Sequence, residues 1–294
     1  MYYFIVNKTS GNGKGANVWS KVQKLLKAKG VEYQVLFTDG TENDRKLVES
    51  KIGLECTAVV VIGGDGTIHG VANALAYKNV PLGIIPAGSG NDFARSLQIP
   101  KDHEGALNRI LTGKVKTMDL GKVGQEYFIT IAGIGFDGKV AKVTNESKMK
   151  KLLNKMSLGS LSYIYSLIKV LITYQPTTLT IKIDERIHRF SEVWMISVAN
   201  LPFYGGGIKI CPDAIADDGL LDICILHGVN RWELLMVFPR AFSGSHITHK
   251  NVTMLKGKDI FITPEKDLVI QCDGEIVAHN PIALTVEKEA LHIL

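Results

Sequence analysis

A chain of 294 residues, 46% hydrophobic and 21% charged, is long enough for two ordinary domains, each with its own buried core. The formal net charge of +5 is a mild excess with no stripe of arginine and lysine interleaved with aromatics, which excludes nucleic acid as a partner. Four well-separated cysteines (Cys56, Cys211, Cys224 and Cys272) exclude a disulfide framework or a cysteine metal site and suit a reducing cytoplasm.

The first 120 residues or so alternate strand and helix with short glycine-punctuated links, the pattern of a doubly wound α/β domain. Residues 2–6 read as a strand, too short an apolar run for a signal peptide and with no positive region before it, followed by a polar glycine-rich loop and a helix over 17–29. A second strand at 32–37 leads through Thr38 into a helix ending near 50. Residues 57–62 form a β-branched, fully apolar run, the mark of a central parallel strand, and deliver Gly63, Gly64, Asp65, Gly66 and Thr67 onto a helix over 68–75. A strand at 81–85, a turn and helix starting at Asn91, a polar helix over 104–111 and an edge strand at 116–120 complete this part.

Past Gly121 the alternation stops. Short strand candidates at 127–134, 178–183, 189–198, 220–226, 259–262, 268–272, 282–286 and 291–294 predict a mainly antiparallel β-sandwich domain with a few inserted helices. The expected organisation is therefore 1–121 as a nucleotide-binding α/β domain and 122–294 as a β-rich substrate domain, with the last strand free to return to the first. The most apolar stretch, 158–174, is interrupted by Lys169, serines and Gly159 and falls short of a transmembrane span. It follows Lys148, Lys150, Lys151 and Lys155, so it reads either as a core helix with a solvated basic lead-in or as a face for an anionic bilayer.

Three glycine-rich loops, at 11–15, 63–66 and 88–90, each follow a strand, and loops after parallel strands gather on one sheet edge. None is a Walker A loop or a dinucleotide fingerprint. Together they predict a phosphate site in which glycines let the backbone approach and helix N-termini supply N–H groups. Asp65 and Asp92 add carboxylates for a metal ion, although Asp92, after Asn91, also suits a helix-capping role. In the second domain, Asp273 and Gly274 form a common hairpin signal, and Glu275 beside them is a candidate for accepting a hydroxyl proton in phosphoryl transfer. The acidic turn 212–222 could hold a divalent cation or simply be solvated.

These residues together resemble the diacylglycerol-kinase-type lipid kinases, which include sphingosine and ceramide kinases, and most closely the bacterial soluble members. The resemblance runs through Asn7, Ser10, Gly11, Lys14 and Gly15; Gly63 to Thr67; Gly88, Ser89, Gly90, Asn91, Asp92 and Arg95; Asp119; Tyr204 to Gly207; Asp218 to Asp222; and Asp273, Gly274 and Glu275. It implies ATP bound through Asn7, Ser10, Gly11, Lys14, Thr38, Gly63, Gly64, Gly66, Thr67, Ser89 and Asn91. It also implies a Mg²⁺-organising network of Asp65, Asp92 and Asp119. By the same likeness Glu275 is the proton acceptor with Asp273 beside it, and Asp218 with the carbonyls of Ile215 and Leu220 holds a structural Mg²⁺. Ser89 replaces a usual threonine, His69 and Gly70 an asparagine–glutamate pair, and Lys8 a frequent proline.

The expectation is an ATP- and Mg²⁺-dependent kinase of a membrane lipid, most simply diacylglycerol, working from the cytoplasm in peripheral contact with the inner membrane face, with a homodimer allowed for. A soluble-metabolite kinase of the NAD kinase type shares the Gly63 to Thr67 turn, and a non-catalytic nucleotide-binding module is the rival from another class.

Overall fold

A computed structural model of the chain describes all residues except 39–42, 51–55, 147–158 and 278–281. The described residues divide into two compact units, Met1–Leu120 with Lys288–Leu294, and Gly121–Glu287.

The first unit is a parallel sheet carrying helices. Strands β1 (Tyr2–Asn7), β2 (Tyr33–Thr38), β3 (Ala58–Gly63) and β4 (Leu82–Pro86) lie in the order β2, β1, β3, β4, and the end of the last strand, β17 (Ile282–Ile293), pairs Ile293 with Leu82 in parallel. Strand β3 is buried along its whole length, as its unbroken β-branched sequence requires. Each fully buried valine or isoleucine there contributes about 1.5–3 kcal/mol of apolar transfer. The aromatics Phe4, Trp19 and Tyr33 pack edge-on or tilted at 5.6–5.8 Å on the same sheet.

Helix α1 (Ser10–Ala28) begins earlier than the pattern suggested, but Gly11, Asn12 and Gly13 inside it are left-handed, so regular helix starts only after the glycine loop. Helices α2 (Asn43–Glu49), α3 (Asp65–Leu75), α4 (Asp92–Ser96) and α5 (His103–Thr112) follow the remaining strands. Asp102 caps α5 by accepting from the Gly105 N–H at 2.7 Å, and Gly113 ends it in the left-handed conformation. The helix expected from 68 starts at Asp65, so the acid stands in the first helical turn, where the helix dipole favours a negative charge.

The second unit is antiparallel. Strands β5 (Lys116–Val123) and β6 (Glu126–Phe128) form a hairpin, with the last part of β5 inside this unit. The chain then runs β7 (Ile131–Gly135), helices α6 (Phe136–Glu146) and α7 (Gly159–Thr173), β8 (Thr177–Ile183) and β9 (Arg186–Ala199). The short pair β10 (Phe203–Tyr204) and β11 (Ile208–Lys209) precedes β12 (Leu221–His227), helix α8 (Arg231–Val237) and two 3₁₀ turns, Phe238–Phe242 and Ser245–Thr248. Strands β13 (Val252–Gly257), β14 (Asp259–Pro264), β15 (Ile270–Cys272) and β16 (Glu275–Val277) lead into β17.

The order is β16, β15, β7, β9, β8, β14, β17, with β12 and β13 added through β9. Strand β9 can serve three partners because it bends at Glu192, a positive-φ residue: residues 186–193 pair with β8, while 195–199 lie between β7 and β12. Alternating apolar residues of these strands, Ile134, Ile181, Ile196, Ile223 and Ile260 among them, form one buried core. A second core lies under helices α6, α7 and α8, built around Phe136, Trp194 and Leu234.

Three readings of the sequence need correction. The strand expected at 127–134 is two strands, because the peptides at Ile129 and Thr130 turn aside to meet a carboxylate described below. The candidates at 282–286 and 291–294 are one strand, and its last residues, Lys288–Leu294, group with the N-terminal unit. Strand β13 was not anticipated, its six residues lacking strict alternation. The basic lead-in Lys148, Lys150, Lys151 and Lys155 lies outside the described residues.

Candidate active site

In the first unit the three glycine loops are built against one another. A Cβ on Gly88 would stand 2.5 Å from the Cα of Gly64, and one on Gly64 would stand 3.0 Å from the Cα of Gly88 and 3.4 Å from Ser10 Oγ. A side chain at Gly11 would strike the carbonyl oxygen of Ala87, and one at Gly15 the carbonyl oxygen of Asn7. The glycines are therefore needed first for loop-to-loop packing. That packing lets the strand ends present backbone N–H groups together at one edge.

Asn7 is the hub of this arrangement. Its buried side-chain oxygen accepts from the N–H of Thr9 (3.1 Å), the hydroxyl of Thr9 (2.8 Å) and the N–H of Ser10 (3.1 Å), while its amide donates to Thr67 Oγ1 at 3.0 Å. Thr67 thus faces Asn7, and no side chain caps α3. Thr38 ends β2 opposite Asn7. Asn91 is left-handed, a conformation asparagine tolerates, and closes its own loop by accepting from the Gly88 N–H (2.8 Å) and donating to the Gly88 carbonyl (2.9 Å).

The three predicted metal-organising carboxylates each have a protein partner. Asp65 accepts from the Phe93 N–H at 3.1 Å, coupling α3 to α4. Asp92 is buried and pairs with Arg95, which also reaches the Gly90 carbonyl at 3.3 Å. Asp119 is buried in β5 and accepts from the Glu289 N–H at 2.8 Å. Among the described residues no group of three His, Cys, Asp or Glu side chains is placed to hold a metal. The expected network of Asp65, Asp92 and Asp119 is therefore not present as a preformed cage, because each acid is turned toward an amide or a guanidinium. Magnesium needs no such cage: it keeps several waters and binds through one or two carboxylates plus substrate phosphates, a role that Asp65 beside the glycine loops suits chemically.

Beside the loops lies a cleft of about 350 Å³ lined by Lys14, Ser89, Asn91, Arg95, Gln98 and Lys101 among others. Three cationic side chains on its wall and neighbouring backbone N–H groups make it a fit for an anionic ligand of nucleotide size.

In the second unit the hairpin between β15 and β16 turns on Asp273 and Gly274, both at positive φ, with Cys272 paired to Glu275. Asp273 is the anchor of this hairpin. Its Oδ2 accepts from the Ile129 N–H at 2.7 Å, and its Oδ1 from the Thr130 and Ile131 N–H groups at 2.9 and 3.0 Å. These bonds occupy both oxygens with the backbone that splits β6 from β7. Glu275, one residue past the turn, is solvent-exposed.

A further buried group supports the same turn and escaped the sequence reading. Gln271 accepts from the Gly274 N–H at 2.6 Å and donates to Asp137 Oδ2 at 2.9 Å. Burial pushes the Asp137 carboxyl up to about 6, against hydrogen bonds from Gln271 and Tyr204 that pull it down. A side chain at Gly133 would collide with Asp137, so this glycine makes room for the carboxyl. The sequence signal was there, in the alternating glycines before Phe136 and Asp137, but nothing in their spacing links them to Gln271.

The acidic turn is held by a lysine. Lys256 Nζ stands 3.1 Å from Asp222 Oδ1, 3.3 Å from the Asp213 carbonyl and 4.0 Å from Asp218 Oδ2. Asp218 Oδ1 accepts from the Leu220 N–H at 3.0 Å. Asp218 with the carbonyls of Ile215 and Leu220 is an oxygen set suited to a hard cation. Lys256 already supplies positive charge beside it.

Family and structure comparisons cover nearly the whole length. The family model described as "Diacylglycerol kinase catalytic domain" matches residues 1–123, and "YegS C-terminal NAD kinase beta sandwich-like domain" matches 130–294. YtlR of Bacillus subtilis strain 168 is 32% identical, covering 99% of this chain and 98% of its own length. A diacylglycerol kinase of Mycobacterium tuberculosis is 28% identical over 99% of this chain and 93% of its own. The crystal structure of a diacylglycerol kinase from Bacillus anthracis strain Sterne shares the fold with a TM-score of 0.72, covering 99% of this chain and 95% of that one at 23% identity.

Proposed function

The chain belongs to the diacylglycerol kinase family of lipid kinases, and from that premise we propose that it transfers the γ-phosphoryl group of ATP to the hydroxyl of a membrane lipid, converting diacylglycerol to phosphatidic acid. The observation that carries this reading is the pairing of two features. One is the interlocked glycine loops beside a cationic cleft, and the other is an exposed carboxylate on a hairpin whose neighbouring acid is fully engaged.

In this reading the backbone N–H groups at Gly64 and Ser89, with the Ser10 hydroxyl and Lys14, bind the nucleotide phosphates and orient the γ-phosphoryl group for in-line attack. Asp65 would hold the Mg²⁺ that rides on those phosphates, and the bound ion would neutralise charge developing during transfer. Glu275 accepts the proton of the attacking alcohol. Asp273 has a different part, since its oxygens hold three amides and so set the position of Glu275. Asp218 with the Ile215 and Leu220 carbonyls is proposed as a second, structural Mg²⁺ site, with Lys256 as its competitor. No helix among the described residues is long and apolar enough to cross a membrane. In this reading the lipid is met by surface contact.

Incubating the protein with labelled ATP, Mg²⁺ and dispersed lipids tests the reaction, with phosphatidic acid as the expected product. Absence of transfer to any glycerolipid or sphingoid base, from folded protein that binds ATP, would overturn it. Glu275→Gln is expected to lower kcat by ~10²–10⁴ with little change in ATP binding; near-normal turnover would remove Glu275 from the mechanism.

A further inference from the structure

Helix α8 is apolar on both faces. Leu234 and Val237 point into the second core of their unit, while Trp232, Leu235 and Met236 are exposed, Trp232 and Met236 at 79% and 77%. Positions 232, 235 and 236 share one face, since residues three and four apart on a helix are neighbours. Phe242 in the following 3₁₀ turn is 53% exposed. The helix is firmly built: Asn230 and Glu233 form a reciprocal capping box, with Asn230 Oδ1 accepting from Trp232 and Glu233 N–H at 2.9 and 3.0 Å. Arg231 fixes its start to the end of helix α7 by donating to the carbonyls of Leu171 (3.0 Å) and Tyr174 (3.1 Å). Ile168 and Ile172, one turn apart on α7, are exposed, and the bond from Arg231 to the Leu171 carbonyl joins the chain neighbours of Trp232 and Ile172. The result is a group of largely exposed apolar side chains on two anchored helices and the 3₁₀ turn, where Phe242 meets the Phe238 ring edge-on.

The segments that carry this surface hold more cations than acids. Residues 159–173 contain Lys169 and no acid. Residues 231–250 contain Arg231, Arg240 and Lys250 and a single acid, Glu233. The Glu233 carboxylate is turned back to accept from the Asn230 N–H at 2.9 Å. A second copy of the chain meeting this face across a two-fold axis would set the basic groups against themselves. An anionic leaflet complements them, and a tryptophan with apolar neighbours and a basic margin is the composition of an interfacial membrane anchor.

We propose that the outer face of Arg231–Val237, continued by Phe242 and by Ile168 and Ile172, is the surface through which the protein docks on an anionic bilayer, with Trp232 and Met236 entering the boundary between headgroups and acyl chains. The proposal rests on the reading of the acceptor as a membrane lipid and adds the place of contact.

The test uses the full chain and vesicles of phosphatidylcholine with phosphatidylglycerol, against phosphatidylcholine alone. Wild type is expected to co-sediment with the anionic vesicles, and Trp232→Ser and Met236→Ser each to weaken partitioning about tenfold, the double variant by roughly the product. Because both side chains are exposed, thermal stability and turnover of a short-chain diacylglycerol below its micellar concentration are expected to stay at wild-type level. Equal partitioning of wild type and the double variant overturns the proposal. So does a wild-type dimer that the double variant dissolves without any change in vesicle binding, which would make this face an interface between copies. Lost partitioning in a protein with no lipid kinase activity would retain the docking surface and reject the reaction. Lipid kinase activity with mutation-insensitive partitioning would do the reverse.

Discussion

Asp273 offers the sharpest test of how this protein holds its candidate catalytic turn. Three backbone N–H groups converge on its carboxylate at 2.7, 2.9 and 3.0 Å. A hydrogen bond to a charged group contributes about 1.5–3 kcal/mol. The residue is only half-buried, so water can replace part of what Asp273→Ala removes, and the expected loss is ~3–5 kcal/mol, below the full sum of three bonds. Alanine also adds roughly 1 kcal/mol of strain, because Asp273 sits at φ 49°. Asp273→Asn tolerates that conformation and keeps one acceptor oxygen for Thr130 and Ile131, but turns an NH₂ toward the Ile129 N–H, so its loss is expected to be ~1–2 kcal/mol.

Urea unfolding of the three proteins, with hydrogen exchange of the peptide spanning Ile129 to Ile131, measures both the global and the local effect. Alanine is expected to expose those amides and asparagine to leave most of them protected. Turnover separates a clamp from a base: Asp273→Asn should keep kcat within about tenfold, whereas loss of a general base costs ~10²–10⁴. An alanine variant as stable as wild type, or an asparagine variant that is stable yet lacks activity, would refute the clamp and return Asp273 to the chemistry.

Three further outcomes follow from the geometry. Gly88→Ala should weaken ATP binding measured by calorimetry and cost about 1–3 kcal/mol of stability, since its Cβ would stand 2.5 Å from Gly64 Cα and 2.9 Å from Asn91 Oδ1; unchanged binding would show that the loops need no close contact. Burial raises Asp137 to about 6 in the folded protein, so the neutral acid favours folding fully below the unfolded pKa near 4, and that contribution of ~3 kcal/mol is lost as pH rises through about 6. Asp137→Asn should flatten stability between these pH values in urea titrations, and an unaltered slope would exclude Asp137 as its source. Mg²⁺ should raise the Tm of wild type and leave that of Asp218→Asn unmoved, with Lys256→Met enlarging the wild-type shift; equal shifts in all three would place the ion elsewhere.

Much of the fold could be read from local patterns because those patterns report burial. The unbroken apolar run at Val59, Val60, Val61 and Ile62 marks a strand covered on both faces, and that is where β3 lies. Long-range pairing left no such local trace. Leu291 and Ile293 alternate like any other edge segment, and it takes long-range contacts such as the pairing of Ile293 with Leu82 to show that the chain returns to the first sheet. The bend of β9 at Glu192 is equally silent in sequence, since glutamate at positive φ obeys no local preference and is imposed by the three strands that share β9.

The site was legible to the extent that its chemistry resides in glycines. Gly64 and Gly88 are glycines because two backbones touch there, and their spacing after strands pointed to one sheet edge. Acids are harder to read, because the same carboxylate can cap, clamp, pair or catalyse, and geometry alone separates these uses. Asp273 and Glu275 stand two residues apart in sequence and look interchangeable. The left-handed turn aims Asp273 back at three amides and leaves Glu275 facing solvent, so the hairpin reading and the catalytic reading of this stretch are not rivals. A base must be free to take a proton in a fixed place. In the proposed mechanism one acid, with Gln271 and the buried Asp137 behind it, supplies the fixed place, and the next supplies the free carboxylate.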